Sequence, residues 1–111
     1  MCEIDICEFL ATRKEDDILV DVREKTLFDF GTIPGAVNIP LDNIKELYSL
    51  PKEQNIYVFC QAGDISGEIV ELLSDAGYTA FNLTGGYRRY LRSTFPEHAK
   101  QKIKGNGYAK R

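Results

Sequence analysis

The sequence predicts an α/β domain, a mainly parallel sheet flanked by helices on both faces. Three observations carry this. Short apolar runs rich in β-branched and aromatic residues, ILVDV, AVNI, IYVF and AFNL, recur along the chain. Between them lie stretches with apolar residues at helical spacing, and this alternation is the pattern of parallel strands joined by crossover helices. ILVDV is also apolar at every position except Asp21, as expected of a strand covered on both faces.

Taken in order, Ile4, Cys7, Leu10 and Ala11 stand at helical spacing and predict a short first helix near Ile6, ending at about Thr12. Ile18 to Val22 is the first strand. The Pro34-Gly35 pair marks a turn, and AVNI after it is a second, shorter strand. Asp42 to Leu50 reads as a helix with Asp42 or Asn43 at its cap and Pro51 as its stop. IYVF is a strand, and Ser66 to Ala76 is a helix stopped by Gly77. AFNL, Ala80 to Leu83, is the last strand, and Gly85 opens the last helix.

The chain has 111 residues, enough for one domain with its own core. A content of 43% hydrophobic and 28% charged residues is that of a globular protein and excludes general disorder. No apolar run approaches the roughly 18 residues of a membrane span, and no signal-peptide pattern opens the chain. Three cysteines without regular spacing argue against a disulfide framework and for a reducing, cytoplasmic setting. A net charge of -3 argues against general nucleic-acid affinity. The charge is uneven. From residue 94 onward, Lys100, Lys102, Lys104, Lys110 and Arg111 oppose only Glu97, so the tail carries +4 and residues 1–93 carry -7. We expect a domain over 1–93 and a basic tail over 94–111, part of the same domain or partly disordered. The tail reads as a solvated terminus or as a docking segment for an acidic partner.

The stretch that carries chemistry is FCQAGDISGE, Phe59 to Glu68. Cys60 stands where IYVF ends, on a glycine-containing loop ahead of a helix. A helix N-terminus and convergent N–H groups favour a sulfur anion. Gly63 permits positive φ, so successive N–H groups can turn inward and form an anion-holding nest. Ser66 adds a hydroxyl at the expected helix cap. Together these favour a reactive Cys60 over an inert core thiol. Cys2 lies at the chain start and Cys7 on the apolar helix face, and their spacing matches no metal site. His98 lies in the basic tail and is not expected to act as a base for the thiol. In open parallel sheets, sites form at the carboxyl ends of strands, which here brings the ends of ILVDV (Asp21 and Arg23) and of IYVF (Cys60) into one expected crevice.

ILVDVRE, FGTIPGAVNIP, YVFCQAGDIS and NLTGGY, in this order and spacing, resemble the successive signatures of the rhodanese-like family over about Ile4 to Leu91. The resemblance implies a parallel five-stranded sheet and a cysteine that accepts sulfane sulfur as a persulfide. That cysteine is Cys60, and the persulfide cradle is Gln61, Ala62, Gly63, Asp64, Ile65 and Ser66. It places Asp21 and Arg23 as braces at the sheet end, and Gly85 and Gly86 in close backbone packing beside the loop. Its implied activity is sulfur transfer from a small donor (thiosulfate, polysulfide or persulfide) to cyanide or a thiol, the latter possibly on a protein. No metal or other cofactor is implied. Two departures stand out. Where many relatives carry an arginine in the loop this chain has Ile65, beside Asp64, and the family's GHIPGA reads GTIPGA, with Thr32 for histidine. A carboxylate without a basic side chain disfavours a doubly charged donor such as thiosulfate. The alternatives are a non-catalytic binding or regulatory module, or a domain of a larger redox enzyme. A dual-specificity-type phosphatase would need a wider loop and an arginine.

Overall fold

The computed structural model describes residues 3–94; Cys2, His98 and the basic tail beyond Thr94 lie outside them. Its five strands are β1 (Glu3–Asp5), β2 (Ile18–Asp21), β3 (Val37–Asn38), β4 (Ile56–Phe59) and β5 (Ala80–Thr84). All neighbours run parallel, in the order β1-β5-β4-β2-β3. The helices are α1 (Ile6–Thr12), α2 (Lys25–Phe30), α3 (Asp64–Asp75) and α4 (Gly86–Thr94), and a 3₁₀ segment covers Leu41–Ser49.

The pleat sorts the strand residues onto two faces. Val20, Val22, Ile56, Val58, Cys60 and Ala80 point one way, and pack with Ile69, Val70 and Leu73 of α3 and Leu47 of the 3₁₀ segment. Leu19, Phe59 and Leu83 point the other way, onto Ile6 and Phe9 of α1, with Tyr87 and Tyr90 of α4 against them. Each fully buried aliphatic or aromatic side chain contributes about 1.5–3 kcal/mol. The three inner strands β5, β4 and β2 are three of the four apolar runs of the sequence and are covered on both sides; the fourth, AVNI, gives the edge strand β3.

Four local readings are corrected. The residue pattern assigned Ile4 to the first helix, but Ile4 lies in β1, paired with Leu83. Three residues show no period, and this strand exists because β5 offers it an edge. Helix α2 is an element that the sequence pattern does not mark. None of its residues is buried, and Leu27 and Phe30, one turn apart, are 44% and 95% exposed; six residues are too few for a helical period to stand out. The expected α-helix over Asp42 to Leu50 is a 3₁₀ segment entered from Pro40 and broken at Asn43 (φ −117°, ψ 32°). Leu47 is the one buried residue in it, with Ile44 packed partly against the same cluster. Finally, α3 starts at Asp64 with Gly63 as its N-cap, so Ser66 lies inside the first turn and is not the cap.

Candidate active site

Strands β2 and β4 are neighbours, yet the chain leaves them in opposite directions, from β2 to the edge strand β3 and from β4 to β5. Their carboxyl ends thus form a topological switch point, where α/β sheets open a crevice. A pocket of about 660 Å³ lies there, with Val22, Leu27, Leu41, Cys60 and Ile65 among its walls.

Cys60 follows β4 directly and continues the row Ile56–Val58, which carries its side chain toward α3. The residue is 4% exposed. Its Sγ accepts the Gly63 N–H at 3.0 Å and the Ser66 N–H at 3.4 Å. The Ser66 Oγ lies 3.3 Å from Sγ, and the Asp64 Oδ1 lies 3.7 Å away, where a thiol proton can reach it. Gly63 at φ +107° turns its N–H inward, a conformation that L side chains rarely adopt. A Cβ at Gly86 (φ +62°) would stand 2.5 Å from the Cys60 carbonyl oxygen and 2.7 Å from that of Gln61. The absence of a side chain lets α4 approach closely enough for the Tyr87 and Arg88 N–H groups to donate to those two carbonyls at 2.9 and 3.1 Å. Gly85 N in turn would lie 3.2 Å from a Cβ at Gly63.

The other loop residues stand differently. Gln61, Ala62, Asp64 and Ile65 are exposed. The Ile65 N–H donates to the Asp64 carboxylate at 2.8 Å. That bond is the main reason the Asp64 carboxyl is held below its ordinary value of 3.8. Its own backbone N–H adds to the effect, Cys60 and Arg88 add less, and desolvation works against them. One donor of the expected nest is therefore spent on the loop's own carboxylate, which is ionised at neutral pH.

Asp21 and Arg23 form the second half of the site. Asp21 is fully buried at the end of β2 and pairs with Arg23, whose Nε and Nη2 donate to its two oxygens at 2.8–3.2 Å. The same guanidinium donates to the Gly31 carbonyl at 2.6 Å and to the Gln61 Oε1 at 3.4 Å, and lies 4.1 Å over the Tyr87 ring. It lines the pocket, but its donors point to protein partners. Four further residues complete the arrangement. Thr32 donates to Asp21 Oδ2 at 2.8 Å, Asn38 donates to the Asp21 and Arg23 carbonyls, Tyr87 caps the guanidinium, and Asn82 contacts Ser66. The available signal was a lone asparagine inside each of the apolar runs AVNI and AFNL, since a buried amide requires partners.

With the geometry in place, similarity to known proteins narrows the identity. The rhodanese-like domain profile matches residues 7–93. The chain is 32% identical over 97 residues to the adenylyltransferase and sulfurtransferase UBA4 of Meyerozyma guilliermondii, a match covering 78% of this chain and 23% of that protein. A second such fungal protein is covered over 21% of its length, so the chain spans under a quarter of these relatives. It is 35% identical over 89 residues to the thiosulfate:glutathione sulfurtransferase of Homo sapiens, covering 66% of this chain and 77% of that one. The crystal structure of a rhodanese-related protein from Thermoplasma volcanium superposes with a TM-score of 0.78 at 25% identity, covering 85% of this chain and 94% of the other. A profile match over most of the chain, a relative of similar length above 30% identity and a shared five-stranded sheet place this chain in the rhodanese-like domain family.

Proposed function

We propose that this domain is a sulfurtransferase that carries sulfane sulfur on Cys60. The observation that supports it most is that Cys60 lines the switch-point pocket with its Sγ held by the Gly63 and Ser66 N–H groups. In the first step the Cys60 thiolate attacks the outer sulfur of a donor R–S–S⁻. The donor's S–S bond breaks, R–S⁻ leaves with the electron pair, and Cys60 becomes a persulfide. In the second step an acceptor thiolate, or cyanide, attacks the terminal sulfur and the Cys60 thiolate is released. Sulfur moves in its sulfane state, so the relay needs no outside oxidant or reductant. The loop N–H groups suit the terminal persulfide anion.

The pocket walls favour an apolar or weakly charged donor over thiosulfate. Val22, Leu27, Pro40, Leu41 and Ile65 supply apolar surface, and the charges of Glu24 and Asp42 offset those of Arg23 and Lys25. Arg23 is engaged by Asp21, and Lys25 pairs with Asp29 at 2.7 Å. A polysulfide or an organic persulfide fits these walls. A second reading, a sulfur-binding module without turnover, is favoured by the Asp64 carboxylate taking the Ile65 N–H.

Intact mass after incubation with polysulfide is the test. We expect a gain of one sulfur atom that a thiol or cyanide then removes, and no gain in Cys60→Ser. A gain that survives in Cys60→Ser overturns the assignment of the carrier. A gain on Cys60 that no acceptor removes supports the binding module instead.

A further inference from the structure

Asn82 lies in β5 in register with Val58 and is 3% exposed. Its row faces α3, the apolar side that also holds Cys60. Its Nδ2 donates to the Gly63 carbonyl at 2.9 Å. A carbonyl oxygen only accepts, so the amide's orientation is settled and Oδ1 faces Ser66. Oδ1 only accepts as well, at 2.6 Å from Ser66 Oγ. The single Ser66 hydroxyl proton therefore lies on the Asn82 side, and a hydroxyl lone pair faces Cys60 Sγ at 3.3 Å.

We propose that Asn82, through Ser66, is a positioning residue that keeps the Ser66 hydroxyl proton away from Cys60 Sγ and so opposes the loop N–H groups that favour the anion. The thiol proton then has two acceptors, Ser66 Oγ at 3.3 Å and Asp64 Oδ1 at 3.7 Å. When the thiol gives its proton to water, either the Ser66 O–H turns toward the sulfur and leaves Asn82 Oδ1 buried without its donor, or it stays on Asn82 and a hydroxyl lone pair faces the sulfur anion. Leaving a buried acceptor unpaired opposes ionisation. Gly67 packs against this amide, since a Cβ there would stand 3.3 Å from Asn82 Nδ2 and the amide would have to give by a few tenths of an ångström. The charged groups around this sulfur are Asp64 at the start of α3, Arg88 of α4 acting on Asp64, Arg23 with Asp21 and Glu24 after β2, Lys25 on α2, and Asp42 on the 3₁₀ segment. None of them changes when Asn82 is replaced.

This inference deepens the sulfur-transfer reading and rests on Cys60 as the group that ionises. Its test is the pH dependence of Cys60 alkylation by iodoacetamide, read from the mass of the Cys60 peptide. In Asn82→Leu, the freed Ser66 O–H turns to the sulfur, and the profile moves to lower pH by about one unit, about tenfold in rate on its rising limb. In a Ser66→Ala background the same replacement leaves the profile in place. An unmoved profile in Asn82→Leu, or a move to higher pH, overturns the proposal. Should Asn82→Leu fail to fold, the wild-type protein supplies the second measurement. The side-chain amide NMR signals of Asn82 are expected to shift with the midpoint of the alkylation profile, and to stay still in Cys60→Ser. Signals that stay still in the wild type overturn the proposal. Neither measurement needs a sulfur donor, so an Asn82 amide that follows Cys60 in a protein without sulfur transfer would defeat the activity alone.

Discussion

Asp64 and Ile65 are where an anionic donor would meet the loop. Ile65 is 45% exposed at the pocket wall, so a cationic side chain there points into solvent-accessible space and meets the donor. Ile65→Arg should raise kcat/KM for thiosulfate about tenfold, through charge-assisted bonds to the donor's oxygens. Asp64→Asn should raise it less, about two- to threefold, because an exposed carboxylate is screened by water and salt. Turnover of a polysulfide donor should stay within about twofold in both. Steady-state kinetics with the two donors decide the matter. High wild-type activity on thiosulfate that neither change moves would show that the loop N–H groups bind the anion unaided. Thr32 illustrates the same scale from the structural side. It stands where the family's histidine is usual, and its hydroxyl is spent on Asp21.

Among the elements, α4 is tied to the cysteine loop by backbone alone. Gly86→Ala would press a Cβ onto the Cys60 and Gln61 carbonyls at a positive φ, so we expect a stability loss of about 2–3 kcal/mol. Persulfide formation should fall at least about tenfold, because a misplacement of about 1 Å near the reacting atoms is costly. Gly77→Ala is the control. It is strained by its φ of +95° but has only Lys52 Nζ nearby, at 3.5 Å. It should cost about 1 kcal/mol and leave persulfide formation unchanged. Thermal melts and mass spectrometry on both variants check this. Helix α1 is held differently. Asp5 caps it by accepting the Cys7 N–H at 2.7 Å and pairs with Arg89 of α4 at 3.1 Å. The cap bond, with help from Arg89 and against desolvation, holds the Asp5 carboxyl below its ordinary value of 3.8. A depressed folded value means that the stabilising contribution is present above 3.8 and is lost as pH falls through the folded value. Asp5→Ala should therefore lower the melting temperature at pH 7, and the difference from wild type should close below that window.

For the whole molecule, Arg23 is the joint. One guanidinium links the end of β2 through Asp21, the end of α2 through the Gly31 carbonyl, the cysteine loop through Gln61 and α4 through the Tyr87 ring. Removing it leaves Asp21 as an uncompensated charge at 0% exposure. Arg23→Ala should cost about 3–5 kcal/mol, and Arg23→Lys should recover only part, because an ammonium cannot reproduce the two-pronged contact. Denaturant unfolding measures both. An Arg23→Ala protein of full stability that transfers no sulfur would make this guanidinium a donor-binding cation instead of a brace.

What the chain reveals on its own are the features that neighbouring residues encode. Runs such as ILVDV and IYVF mark inner strands because burial on both faces demands apolar residues in succession. The segment after Phe59 marks a site because a cysteine, a glycine able to take positive φ and a helix start are adjacent in sequence. The order of four motifs then indicates the family. Other features depend on partners distant along the chain. Strand β1 exists only against β5, and the exposed α2 is too short for a helical period to stand out. The 3₁₀ segment is broken at Asn43, with Leu47 buried and Ile44 partly so against the core. Asn82 and Ser66 meet because β5 runs beside β4 with α3 packed over both, which brings an amide sixteen residues along the chain to the hydroxyl that faces Cys60. Which acceptor receives a proton depends on atoms within about 3 Å of one another, and only the folded chain brings those atoms together.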